Sequence, residues 1–178
     1  MNGNVLIRLI RARDWYAIVE LESAAYAELG LSEGREVLES RAQISPETCL
    51  VLEIDGRAVG YLLALPYPAG RHPDLHKSES TAFASRNLHL HDLVVSRPLR
   101  GRGMAQRLLE HVAGTARALG YEQLSLVAVG DSERFWSARG FTVRPGAVTT
   151  GGYDSTAVYM SAPVPLHAPR SSSPYESG

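Results

Sequence analysis

Cysteine, lysine and long apolar runs are scarce in this chain, and each scarcity excludes something. A single cysteine, Cys49, rules out a disulfide framework and a cysteine-rich zinc cage. It sits in the apolar run Cys49-Leu50-Val51-Leu52, which makes it a buried small hydrophobe and a poor nucleophile. Lys77 is the one lysine, so the basic side is almost wholly arginine, a bias to which we attach no mechanism. Eighteen basic residues against 19 acidic ones leave a formal charge of -1, so bulk charge supports no affinity for nucleic acid or an anionic membrane. No stretch approaches the roughly 20 apolar residues needed to span a bilayer. Arg8 and Arg11 interrupt the apolar N-terminal run as no signal-peptide core would allow, and a cytoplasmic location is expected.

What is present suits one domain: 178 residues, 44% hydrophobic and 21% charged. Residues 5–11 read as a strand, followed by a helix capped by Asp14 and running to about Leu29, then a second helix over Glu33 to Gln43. Apolar runs at 48–54 and 57–65 flank Asp55-Gly56, a hairpin signal. The stretch from Pro66 to Arg86 has no sustained period, and a connection of that length is functional or mobile. A strand at 88–95, a helix from Met104 to Leu119 and a strand at 123–129 form a βαβ unit, so those two strands should lie parallel. A short helix over Ser132 to Arg139 and closing strands at 141–143 and 156–161 complete an α/β domain over residues 1–162. Its sheet is mixed, mostly antiparallel, with helices on its faces. The Pro- and Ser-rich stretch 163–178 reads as a disordered tail.

The turn Arg100-Gly101-Arg102-Gly103-Met104-Ala105 lies between a buried strand and a helix start. The first amides of a helix have no internal partner and carry partial positive charge. Glycines let that backbone approach phosphate oxygens, and Arg100 and Arg102 add full charges, so the turn is expected to bind an anion. A glycine-eased turn with solvated arginines is the structural alternative.

Arg100-x-x-Gly103-x-Ala105 resembles the Arg/Gln-x-x-Gly-x-Gly/Ala motif of the GNAT superfamily of acyl-CoA-dependent N-acetyltransferases. Leu93-Val94-Val95 before it and Phe135-Trp136-Ser137-Ala138-Arg139-Gly140-Phe141 after it resemble the family's flanking segments. The resemblance implies that the strand at 88–95 carries a bulge and splays from its parallel neighbour, with acetyl-CoA in the gap. The pyrophosphate would rest on the amides of Gly101, Arg102, Gly103, Met104 and Ala105, with Arg100 also in the loop. The pantetheine arm would pair with Leu93, Val94 and Val95, one of whose amides would face the thioester carbonyl.

Transfer to an amine needs a base for the ammonium and a proton for the leaving thiolate. His89 and His91 should project from one face of their strand and titrate near neutrality. Their pattern is similar to the paired histidines of the serotonin N-acetyltransferase branch. Two histidines hydrogen-bonded on a half-polar face are the structural alternative. By alternation Asp92 points the other way with Leu90 and Val94, where it could orient a histidine, bind the ammonium or act as base. The chain departs from the family at the usual acid: Trp136 stands where a tyrosine is common, and Val129 where an asparagine is. Trp136 is read as packing beneath the donor arm or in the core, and Ser132, Tyr153 or water as substitute proton sources. His72-x-Asp74-x-His76 has metal-ligand spacing, but transfer in this family needs no metal and none is expected.

The reading is an acetyl-CoA-dependent N-acetyltransferase acting by direct attack of a primary amine, with a slight preference for a small amine or amino compound. A peptide N-terminus or lysine is the competing acceptor, and a non-catalytic CoA-binding regulatory module the reading from another class. A homodimer is possible, since dimers are frequent among GNAT proteins. The acceptor pocket should be built by the loops near residues 29–35 and 145–154, which carry no motif.

Overall fold

The computed structural model describes residues 3–147 and 149–167. Strand β1 (Val5–Leu9) leads into α1 (Trp15–Tyr26) and α2 (Arg35–Ile44), then the hairpin β2 (Leu50–Ile54) and β3 (Arg57–Pro66). After a long connection come β4 (Asn87–Val95), α3 (Met104–Ala118), β5 (Gln123–Ala128), α4 (Glu133–Ser137), β6 (Thr142–Val143) and β7 (Val158–Pro163). The strands make one sheet in the order β1-β2-β3-β4-β5-β7-β6. Every neighbouring pair is antiparallel except β4 and β5. The Asp55-Gly56 hairpin forms because both residues adopt positive φ, 49° and 80°, which matches a two-residue turn to the twist of its strands.

Period-two alternation divides the sheet between two cores. On β2, Leu50 and Leu52 face the side covered by α3, joining Leu108, Val112, Trp136 and Phe141. Cys49 and Val51 face α1 and α2, joining Trp15, Ile18, Leu38 and Tyr61. Cys49 is fully buried, its thiol donates to Ala64 O at 3.4 Å, and burial pushes its pKa up to about 12. It is a core residue without thiolate character.

The helices end somewhat differently from expectation. α1 tightens into a 3-10 turn at Ala27–Leu29 that stops at Gly30 (φ 69°), and α2 begins only after Gly34. The chain after β7 is also less free than its composition indicates. Val164 N–H donates to Glu122 O at 3.0 Å, and Val164 and Leu166 pack against the α3-side core. His167 covers Gly140 so closely that a Cβ there would lie 2.2 Å from the His167 carbonyl oxygen. The expected disordered tail therefore does not begin at Pro163, and its remainder, residues 168–178, lies outside the described residues.

Two irregularities of β4 create the site. Leu63 pairs with Asp92 but Ala64 pairs with Leu90, so His91 is an extra residue, a β-bulge. β4 then pairs with β5 only over Asn87–Leu90 and Gln123–Leu126. Beyond that point β4 stays with β3 and β5 with β7, and the two parallel strands part.

Candidate functional site

The parting strands open a cleft of about 690 Å³. Leu93, Val94 and Val95 line one wall, Leu126, Val127 and Val129 the other, and Arg100, Gly101, Gly103, Met104 and Ala105 close one end. Gly101 and Gly103 have φ of 76° and 78°, conformations that side-chain-bearing residues rarely adopt, so this loop depends on glycine. The first bond of α3 runs from Arg107 N–H to Gly103 O, leaving the amides of residues 104–106 without an intrahelical partner. Arg100 Nε donates to Val95 O at 3.1 Å and pins the loop to the strand end. A polyanion held by backbone amides fits this end. Arg102 is exposed beside the loop but does not line the cleft. Trp136, 9% exposed, lies edge-on to Phe135 and Phe141, so it is part of the core and of the cleft wall together. Ser132 also lines the cleft, and its hydroxyl donates to Val129 O at 2.7 Å.

At the other end the cleft meets a second, small cavity of about 30 Å³, and Tyr26, His91 and Asp92 border both. Glu33, Leu75 and Tyr153 close the small one. The bulge brings Asp92 here. Strict alternation would put it with Leu90, but Leu90 belongs to the α3-side core while Asp92 and Val94 face α1 and α2. The expectation that Asp92 points away from His91 into the face of Leu90 is thus corrected by one inserted residue.

Asp92 is 6% exposed. Its Oδ2 accepts from Tyr61 O–H, the Tyr26 hydroxyl also faces the carboxyl group, and among the described residues Oδ1 makes no well-formed hydrogen bond. Burial, reinforced by Glu33 and Glu22, pushes its pKa up to about 8 despite the Tyr61 bond. That shift favours the protonated carboxyl at neutral pH, beside the cleft.

His91 has a fully buried side chain whose Nε2 meets Glu33 Oε1 at 2.5 Å, while Nδ1 is unpartnered. Glu33 is held below the usual carboxylate range, its contacts with His91 and with the Arg41 guanidinium outweighing its burial. Arg41 Nε and Nη2 both donate to Glu33 Oε2, at 3.0 and 2.7 Å. An ionised Glu33 places the imidazole proton on Nε2 and leaves Nδ1 as a lone pair. Burial keeps His91 below its ordinary pKa, with Glu33 opposing, so the ring is neutral at pH 7.

His89 is not brought to this junction. It is fully buried, its Nδ1 bonds Ser125 Oγ at 2.9 Å, and it lines neither cavity. Desolvation holds it well below its ordinary pKa. Tyr153 does reach the small cavity, edge-on to His72 at 5.1 Å between ring centroids, with burial raising its pKa. His72 Nε2 accepts from Thr150 N–H, and the His76 backbone N–H donates to Asp74 Oδ1.

Glu33, Arg41 and Tyr26 were missed by the motif reading. One signal pointed to Arg41: Leu38, Arg41 and Ala42 share an inward helical spacing, and a cation on that face demands a buried acid. Nothing local linked Glu33 to His91, which lies 58 positions away.

Comparisons with known proteins agree with this fold. The crystal structure of Ard1 from Thermoplasma volcanium superposes with a TM-score of 0.71 at 17% identity, covering 90% of this chain and 97% of that one. N-acetylglutamate synthase from Neisseria gonorrhoeae, complexed with coenzyme A and N-acetyl-glutamate, gives 0.67 at 18%, covering 92% of this chain and 36% of its own. GphF GNAT-like decarboxylase in complex with isobutyryl-CoA gives 0.70 at 22%, covering 89% and 99%. At these identities the likeness is one of fold. No curated protein sequence matches. The sequence itself matches the Acetyltransferase (GNAT) family over residues 15–141, a span that includes the bulged strand, the glycine loop and α4, and the chain belongs to that family.

Proposed function

We propose that the protein transfers an acetyl group from acetyl-CoA to a primary amine by direct attack, without a covalent enzyme intermediate. One observation carries this reading: the cleft between β4 and β5 has unpartnered helix amides at one end and two unpartnered, buried proton-handling atoms, His91 Nδ1 and Asp92 Oδ1, at the other. Bound acetyl-CoA supplies the acyl thioester. The amides from Gly101 to Ala105, with Arg100, hold its pyrophosphate, the exposed Arg102 adds positive charge beside them, and the open edge of Leu93–Val95 receives its arm.

His91 Nδ1 accepts the ammonium proton, which makes the nitrogen a nucleophile. Glu33, clamped by Arg41, keeps the other imidazole proton on Nε2. The new C–N bond forms as the C–S bond breaks, and the protonated Asp92 delivers its proton to the departing sulfur. Asp92 is reprotonated from His91, and the second amine proton leaves to solvent, so each turnover yields amide, free thiol and one proton. Asp92 thus takes the part for which Trp136 has no hydroxyl, and His89 acts only as packing beneath the bulge.

Calorimetry with acetyl-CoA, using Gly103→Pro as control, tests the donor half. The expected result is binding to the parent that the control loses, because proline cannot adopt φ 78°. Mass spectrometry on an amine and peptide panel tests transfer. Acetyl-CoA binding without any acylated product would instead favour a regulatory CoA-binding module.

A further inference from the structure

The acceptor side is smaller and more selective than the donor cleft. Resting on the acetyl-transfer reading above, we infer that the acceptor is a compact amine bearing no carboxylate, such as a short alkylamine, rather than an amino acid or a peptide.

Charge carries the first half. The walls of the small cavity include Glu33, Asp92 and His91, and no Lys or Arg. The cation behind that wall, Arg41, has no exposed side-chain surface, and its guanidinium makes four hydrogen bonds to other partners. Nε and Nη2 meet Glu33, Nη1 meets Glu79 Oε1 at 2.7 Å, and Nη2 also meets Asp74 O at 2.9 Å. It does not line the cavity, so a substrate carboxylate would enter beside the ionised Glu33 with no cation to pair it. Two buried atoms do await a partner there, Asp92 Oδ1 and His91 Nδ1, and an amine nitrogen satisfies both.

Shape carries the second half. The connection between β3 and β4, expected to be mobile or functional, is latched over the cavity. Leu75 N–H donates to Gly151 O at 2.8 Å and Thr150 N–H to His72 Nε2 at 3.3 Å. At Gly152 a Cβ would lie 2.8 Å from His76 Nε2 and 3.1 Å from Leu75 Cβ, so the two loops touch without spare room. Gly70 N–H to Tyr159 Oη and Glu79 N–H to Ser40 Oγ fasten the same connection at either end. Leu75 and Tyr153 bound the space of about 30 Å³ on the side of these loops, and that volume suits a head group rather than a flanking peptide chain.

The test is a competition of matched acceptors on the intact protein: propylamine against 2-aminobutyrate, phenethylamine against phenylalanine, and trialanine as the peptide. Thiol release and product mass are read at a fixed saturating acetyl-CoA concentration, with acetyl-CoA affinity measured separately. We expect each free amine to exceed its carboxylated twin by roughly 100-fold in kcat/KM, with trialanine at background. Amino acid or peptide turnover equal to or above that of the amines overturns the inference while leaving acetyl transfer intact, whereas donor binding with no acceptor turned over overturns the inference and the transfer reading together. Failure to bind acetyl-CoA removes the underlying reading as well. Replacing residues 70–82 by a Gly-Ser linker should raise trialanine turnover at least tenfold. Leu75→Ala asks the same question if that variant does not fold, and no gain in a folded variant overturns the roof.

Discussion

The two ends of the site are built from different materials. The donor end is backbone: free helix amides, two glycines at positive φ and the open edge of a strand. The proposed acceptor end is side chain: His91 and Asp92 from β4, Glu33 and Tyr153, drawn from three separate segments. Backbone recognition tolerates almost any sequence that allows the conformation, so it leaves a short local motif. Side-chain recognition is assembled at long range and leaves none. A division this clean predicts that substitutions at one end should spare the other.

The largest expected effects lie at the acceptor end. His91→Ala should lower kcat by about 10²–10⁴ at pH 7, the range for loss of a positioned base. Acetyl-CoA affinity should stay within about threefold, since His91 lies at the far end of the cleft from the glycine loop. Asp92→Asn should lower kcat by about 10² and abolish the alkaline limb of its pH profile. In the parent protein kcat should fall as pH rises through about 8, where Asp92 loses the proton it donates. Stability has a linked slope. Folding raises the Asp92 pKa from 3.8 to about 8, so between those values the unfolded chain binds fewer protons and stability declines with rising pH. Thermal melts of Asp92→Asn between pH 5 and 8 should show a flatter dependence. A large loss of acetyl-CoA affinity in either variant would break the division.

Next in size is Gly103→Pro, which should weaken acetyl-CoA roughly 100-fold by calorimetry, a loss of about 2.7 kcal/mol. Saturating donor should then restore much of kcat, because the proton-handling groups are undisturbed. Loss of kcat that persists at saturation would show that the loop also sets the geometry of the reacting end.

This contrast also explains how much was legible beforehand. The βαβ unit, the Asp55-Gly56 hairpin and the glycine turn before α3 follow from local chemistry, and the structure has each of them. The face of Asp92 was misread because a bulge inserts one residue into a period of two, and that insertion depends on pairing with β3. Glu33 was invisible because its two partners lie eight and 58 positions away. The latch between His72–His76 and Thr150–Gly152 joins two loops without periodicity, so no pattern announces it.

Glu33→Gln should cost less in kcat, about tenfold, since His91 keeps a hydrogen-bonding partner. Its diagnostic is the pH profile. Glu33 raises the His91 pKa against burial, so losing its charge should move the acidic limb to lower pH. A purely structural role would lower kcat without moving that limb. The variant should also be less stable, because Arg41 keeps only Glu79 as its ionic partner in a site with no exposed surface.

The smallest catalytic effect should belong to His89, and it separates two histidines that sequence alone treats as a pair. His89 contacts Ser125 and lies between the rings of Tyr67 and Tyr159, at 6.2 and 6.3 Å, away from both cavities. His89→Asn, whose amide can replace the Nδ1 contact, should change kcat by no more than about threefold and leave its pH profile in place. The change should register in stability instead. Burial holds the folded-state pKa of His89 well below 6.5, so at pH values between the two the unfolded chain binds the extra proton. Stability is then lost as pH falls below about 6.5, opposite in sign to the Asp92 slope. Melts from pH 5 to 7 should show a weaker acid dependence in His89→Asn than in the parent. If kcat fell as far as in His91→Ala, with the same shift in its acidic limb, proton transfer would run through both rings, and the acceptor end would reach one residue deeper into the sheet than its cavities do.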